Sequence, residues 1–100
     1  MNNINMYDDS NEFNELDENK KTILVNWCKN KLTKIKSFNE KITSYGLKHY
    51  FESDENGFYI TNGQFKGAME EAGFIVLNKF KTNWIFNISN KSINNLFIKK

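Results

Sequence analysis

Ile60-Thr61-Asn62-Gly63-Gln64-Phe65-Lys66-Gly67-Ala68-Met69-Glu70-Glu71-Ala72-Gly73-Phe74 is the stretch on which the reading of this 100-residue chain turns. Thr61 and Gln64 stand at the spacing of a capping box, in which the threonine hydroxyl accepts the amide hydrogen of Gln64 and the glutamine side chain accepts that of Thr61. Ile60 before the cap and Phe65 beyond it are placed for a hydrophobic staple. Phe65, Ala68, Met69 and Ala72 recur at three- and four-residue steps, the stripe of a helix buried on one side. Gly73 stands where a left-handed residue closes a helix, with Phe74 next in line to contact Met69 in a Schellman ending. The stretch predicts a helix over 61–72.

Downstream the period changes from helical to extended. Residues 74–77 and 84–88 are rich in β-branched and aromatic side chains, and the polar segment 78–83 has the length of a hairpin loop. An antiparallel pair at about 74–78 and 83–88 is expected, with Phe58-Tyr59-Ile60 as a short third strand. Ser89 or Asn90 can cap a last short helix carrying Ile93, Leu96 and Phe97 on one side, a frayed end being the alternative. Upstream, Ile23, Leu24, Trp27, Cys28, Leu32 and Ile35 mark an amphipathic helix from 17 or 18 to about 36, whose acidic start and lysine-rich end suit its dipole. Ser44 reads as the cap of a second helix through about 54, with Leu47, Tyr50 and Phe51 on one face and Asn56-Gly57 as the turn that follows.

The composition allows one small core, with 39% hydrophobic residues in 100. The longest apolar run, 74–77, is four residues, against roughly 20 for a membrane helix. The first twenty residues lack the basic start and apolar stretch of a signal peptide. An intracellular, cytoplasmic protein with no membrane partner is the expectation. One cysteine, Cys28, cannot close an internal disulfide, and with one histidine, His49, there is no zinc-ligand set. His49 reads as a structural histidine beside an apolar face, and Cys28 as core rather than nucleophile. No phosphate loop, nucleophile elbow or metal-ligand spacing occurs, so the chain reads as a non-enzyme without a cofactor.

The net charge of +2 hides a segregation. Residues 1–19 hold six acids (Asp8, Asp9, Glu12, Glu15, Asp17, Glu18) and no lysine, leaving +8 on the rest. Residues 1–16 have no sustained periodicity, which predicts a disordered acidic tail ahead of a single domain at 17–100.

Two helices joined by a short turn, the second well capped and followed at once by a hairpin, is the order of a winged helix-turn-helix. Tyr45-Gly46-Leu47-Lys48-His49-Tyr50-Phe51, Gly57, Ile60-Thr61-Asn62-Gly63-Gln64-Phe65, Met69-Glu70-Glu71-Ala72-Gly73-Phe74 and Trp84-Ile85-Phe86-Asn87-Ile88 together resemble the C-terminal winged-helix domain of the primase-helicases of phages, plasmids and large DNA viruses. They also resemble small proteins of Gram-positive phages and genomic islands. The resemblance covers about residues 43–88 and implies an α+β fold of helices followed by a β-hairpin wing.

On that reading the exposed face of the third helix enters the major groove of duplex DNA, where Asn and Gln pair with adenine and Lys meets guanine or phosphate. At about 100° per residue that face carries Gly63, Gly67, Glu70 and Glu71, flanked by Asn62, Gln64 and Lys66. The two glycines let another backbone come close, whereas the glutamates repel phosphate. Lys79 and Lys81 on the wing complete the nucleic-acid-binding set Asn62, Gln64, Lys66, Lys79 and Lys81. The first functional expectation is therefore a small mobile-element protein that binds duplex DNA in a regulatory or replication-accessory role. The second is a protein-directed inhibitor of a host nucleic-acid-handling protein, an anti-CRISPR or similar counter-defence protein, in which the acidic segment imitates phosphates.

Overall fold

The computed structural model describes residues 8–98. A 3-10 helix at Ser10–Glu15 is followed by α1 Glu18–Lys31, α2 Ser44–Ser53, α3 Asn62–Glu71 and α4 Asn90–Phe97. Helix α3 lies in the middle, against the 3-10 helix, α1 and α2.

Its ends form for the reasons legible in the sequence. Thr61 Oγ1 accepts from Gln64 N at 3.0 Å, and Gln64 Oε1 accepts from Thr61 N at 3.0 Å. Gly73 has φ of +92°, and the Schellman bond runs from Phe74 N to Met69 O at 3.0 Å. Phe65, Ala68 and Met69 are fully buried. They meet Leu24, Trp27 and Cys28 of α1 and Leu47 and Phe51 of α2 in one core. The Trp27 ring stands edge-on to Phe51 at 5.6 Å and to Phe65 at 6.2 Å, the favoured geometry of aromatic pairs. Burial pushes the Cys28 thiol up from its ordinary value, so it packs as a small apolar side chain.

Helix α1 stops at Lys31, short of the expected 36, because Leu32 turns extended and carries the chain alongside residues 84–89. Ile35 N donates to Asn87 O at 3.1 Å and Ser89 N to Thr33 O at 2.9 Å. Ser44 does not cap α2. Thr43 takes that position without a side-chain bond, while Ser44 Oγ, fully buried, accepts from Trp84 N at 3.0 Å.

The α+β, winged helix-turn-helix expectation is corrected: the fold is helical, and among the described residues no strand or sheet forms. The hairpin at 74–78 and 83–88 is reduced to one antiparallel bridge, Val76 with Phe86, and a second bridge joins Lys34 to Ile88. The alternation itself is real, since Phe74, Trp84, Phe86 and Ile88 are buried and Ile75 and Leu77 are exposed. The ladder stops at Asn87, opposite Ile75, because its backbone carbonyl turns to Ile35 N at 3.1 Å. Trp84 O accepts from Ser44 N at 2.8 Å and Phe86 O from Asn39 N at 3.0 Å, leaving the Leu77 N to Ile85 O bond of 2.9 Å on the hairpin side. Asn87 then substitutes its side chain for a rung. Its Oδ1 accepts from Ile75 N at 2.7 Å and its Nδ2 donates to Ile35 O at 3.0 Å. Residues 58–60, expected as a third strand, enter the α3 cap without strand pairing.

The expectation of a disordered tail is also corrected where the chain is described; residues 1–7 lie outside the described residues. Asp9 caps the 3-10 helix by accepting from Asn11 N at 2.9 Å, and Asp17 caps α1 by accepting from Lys20 N at 2.8 Å. Phe13 is buried in the main core, with Leu16 half-buried against it. Two apolar side chains and two Asx-type caps, none of them periodic, suffice to order the segment because α3 offers a ready surface. At the other end Ser89 caps α4 by accepting from Ser92 N at 3.1 Å, and Ile93 is fully buried.

Glu52 joins α2 to the entrance of α3. Its Oε2 accepts from Lys48 Nζ at 2.9 Å and from Ile60 N at 3.1 Å, and its Oε1 faces His49 Nδ1 at 3.2 Å. Burial pushes this carboxyl up, but the bonds from Lys48 and Ile60 and the nearby Lys48 and His49 charges outweigh it and hold it below the ordinary value. A depressed acid stabilises the fold at and above neutral pH and loses that contribution as pH falls through its folded value. Glu52→Gln is therefore expected to lower the melting temperature at pH 7, with the gap to wild type closing in melts taken well below 4.5, the ordinary glutamate value. Phe13→Ala is expected to cost about 3 kcal/mol in denaturant titration, as for a core aromatic. A loss under 0.5 kcal/mol would show the segment to be unpacked.

Candidate binding surfaces

Of the α3 face expected to read DNA, Gly63 and Gly67 are covered by the chain's own acidic segment, while Glu70 is half-buried and Glu71 exposed. An added Cβ at Gly63 would lie 2.2 Å from Asp9 O, and one at Gly67 would lie 2.3 Å from Phe13 Cβ and 2.5 Å from Ser10 O. The two glycines thus admit a close backbone, and that backbone is residues 9–13.

Polar bonds fasten the contact. Thr61 Oγ1 donates to Glu12 Oε1 at 2.9 Å, Asn62 Nδ2 donates to Asp8 Oδ1 at 2.9 Å, and Lys66 Nζ donates to Asp8 O at 2.8 Å. Asn62 Nδ2 also reaches Thr82 O at 3.2 Å and Asn83 Oδ1 at 3.1 Å, tying the loop before Trp84 to the same corner. Asn62 Oδ1 is buried with no partner among the described residues.

Lys66 is 3% exposed, with its ammonium 4.7 Å from the centre of the Trp84 ring. Burial pushes it below the ordinary lysine value, while Asp8, Asp9 and Glu12 pull it back toward the charged form. Glu12 is buried too. Desolvation raises its carboxyl, the Thr61 hydroxyl opposes that, and Glu15, Asp9 and Asp8 add to the rise.

The five residues singled out from the sequence therefore divide. Asn62 and Lys66 are buried under the acidic segment, and Gln64 is half-buried with its side chain committed to the cap. Lys79 pairs with Glu70 at 2.7 Å on the surface, and its backbone carbonyl accepts from Trp84 Nε1 at 3.3 Å. Lys81 is exposed at the far end of the 78–83 loop. The structure does not bring the five onto one open face. Sequence reasoning missed Asp8, Glu12 and Phe13 as partners of α3. Their one signal was the empty glycine face, which shows that some backbone comes close without showing whose.

A second surface lies on the opposite side of residues 74–88. Ile35, Ile75 and Leu77 point outward, half-buried Ile85 lies near them, and Phe80 at the loop tip is 100% exposed. A cleft of about 390 Å³ beside the loop is lined by Glu40, Leu77, Asn78, Lys81, Asn83 and Ile85. No group of three His, Cys, Asp or Glu side chains is placed to hold a metal ion among the described residues, and none of their helices is long and apolar enough to cross a membrane.

Comparison with known protein families, with curated proteins and with solved structures finds no significant match to this chain.

The glycine cradle makes a direct forecast. Alanine normally gains about 1 kcal/mol over glycine in a helix, yet Gly67→Ala is expected to destabilise the protein by about 2 kcal/mol through overpacking against Phe13 and Ser10. Hydrogen exchange should locate the damage as faster exchange in residues 9–16. A stabilised variant with unchanged protection there would mean that the segment does not rest on α3.

Proposed function

We propose that the protein is a protein-directed inhibitor that presents its acidic segment to the nucleic-acid site of a basic host protein, in the manner of a counter-defence protein such as an anti-CRISPR. The observation that carries this reading is the seating of residues 8–16 on α3. It covers the Gly63 and Gly67 part of the face expected to meet DNA and gives an acidic stretch a defined seat. Asp8, Asp9, Glu15, Asp17 and Glu18 all keep solvent contact, on a backbone held by two helix caps and the buried Phe13. Carboxylates at settled positions form a preorganised polyanion, which loses less conformational freedom on binding a basic groove than a loose tail would. Glu71, exposed at the end of α3, extends the same acidic side, where a cleft is lined by Phe13, Glu18, Lys21 and Glu71 among others.

Duplex-DNA binding has the weaker support. Asn62 and Lys66 are inaccessible, and Lys79 already has an acid. What remains for that reading is Lys81 and the lysines of 29–41, with no reading helix to go with them.

The test is capture of host proteins on the immobilised chain, with and without nuclease. Glu15→Lys and Glu18→Lys reverse exposed charges that cap no helix; because Glu18 opens α1 and pairs with Lys21 at 3.4 Å, unchanged circular dichroism is the condition for using the double variant. A nuclease-resistant partner is expected that is lost in the double variant and released as salt rises from about 0.1 to about 0.5 M. That partner should lose its own nucleic acid to the wild-type chain in a competition assay. Retention of duplex DNA by the purified chain at low salt, abolished by Lys79→Glu with Lys81→Glu, would replace this reading with nucleic-acid binding.

A further inference from the structure

We infer that the chain associates as a two-fold dimer through the outer face of residues 75–85, Phe80 of each copy seated in the Glu40–Leu77–Ile85 cleft of the other. Phe80, Leu77, Ile85 and Glu40 lie outside the acidic segment, so the inference does not depend on the inhibitor reading.

Four observations carry it. Phe80 is 100% exposed, and a soluble chain gains by withdrawing a whole phenyl ring from water. It does not line the 390 Å³ cleft next to it, so the face holds an apolar knob and an unfilled hollow side by side. A surface with both on one loop is self-complementary. Rotation about an axis between them sets each knob over the other hollow, which is the condition for an isologous two-fold contact.

The rim charges agree. Glu40 and Lys81 both border the cleft, so the same rotation can set Lys81 of one copy against Glu40 of the second, twice over. A rim of mixed sign suits a copy of itself better than a polyanion, and Lys79 is already neutralised by Glu70. The area also fits. Two phenylalanines at about 150–250 Å² each, with the Ile75, Leu77 and Ile85 side chains of both copies around them, reach on the order of 1,000 Å², the lower end for a specific interface. A reversible dimer, not an obligate one, is the consequence.

Sedimentation equilibrium of the nuclease-treated chain from micromolar to millimolar concentration tests this. The mass is expected to rise from 11.8 kDa toward twice that value. Phe80→Ser removes a side chain with no contacts to lose within the monomer, so circular dichroism should be unchanged while the dimer disappears. Glu40→Lys and Lys81→Glu alone should each weaken dimerisation by about three- to tenfold, the range of exposed ion pairs counted twice. Combined in one chain they exchange the signs of both pairs and should restore the wild-type constant. A wild-type chain monomeric at millimolar concentration overturns the inference, whatever heterologous protein or nucleic acid the face then proves to bind. So does a dimer indifferent to Phe80→Ser, or a double charge exchange that fails to restore association.

Discussion

Gly63 and Gly67 leave one face of α3 bare to its backbone, and the main chain of Asp9 and Ser10, with the Cβ of Phe13, occupies the space where side chains would have stood. That close approach is what the rest of the structure depends on. It lets α3 be buried on the side facing α1 and α2 by its apolar stripe and on the other side by the amino-terminal segment. A helix of ten residues would be marginal alone, and its stability here comes from being packed around most of its circumference. It also sets the electrostatics of the corner. Lys66 and Glu12 are drawn out of water together with Thr61 and Asn62, and Asn62 Oδ1 is the one fully buried side-chain polar atom among the described residues left without a partner.

The same economy of side chains explains how the carboxy-terminal half holds together without a sheet. Residues 84–88 lie between 74–77 and 33–44, with Ile85 O turned to the first and Trp84 O and Phe86 O to the second. Side chains supply the bonds that regular pairing would have made. Ser44 takes the amide of Trp84, Asn87 bridges Ile75 to Ile35, and Asn39 donates to Ile88 O at 3.0 Å and to Asn90 Oδ1 at 2.7 Å. A chain with seventeen asparagines has such short amide arms in ready supply. They satisfy buried backbone at irregular spacings where strand pairing cannot.

Exposed acids and exposed apolar side chains then fall on different segments, which adjoin where Asn62 Nδ2 reaches both Asp8 and Asn83. The acids of 8–18 with Glu71 lie around the amino-terminal segment, while Ile35, Ile75, Leu77 and Phe80 lie about the 78–83 loop. Burial has withdrawn Lys66 from any outside ligand, and Glu70 has taken Lys79. On the proposed reading the acids serve a basic partner and the apolar loop face a second copy, since they use different residues. Dimerisation would present two acidic segments from one particle, raising their effective concentration at a target with two basic sites.

By itself the sequence determined what depends on neighbours within a turn or two. The capping box at Thr61 and Gln64, the left-handed stop at Gly73, the apolar stripe of α3 and the in-and-out alternation of 84–88 are local consequences of spacing, and each was readable before any contact was known. Tertiary structure alone decided who fills a gap and who receives a hydrogen bond. Alternating Trp84, Phe86 and Ile88 specify a buried face but not which groups pair with the amides and carbonyls beside them, a part that Ser44 and Asn39 take for Trp84 and Phe86. Empty positions at Gly63 and Gly67 specify a close approach but not its source. Asp8, Glu12 and Phe13 lie about fifty residues away along the chain, with no periodicity to announce them, and ordering them depends on the surface α3 offers once it is folded. The accessibility of the candidate DNA-binding set was hidden from the sequence for the same reason. Helical spacing places Asn62, Gln64 and Lys66 around one helix, but only packing determines whether that helix faces solvent.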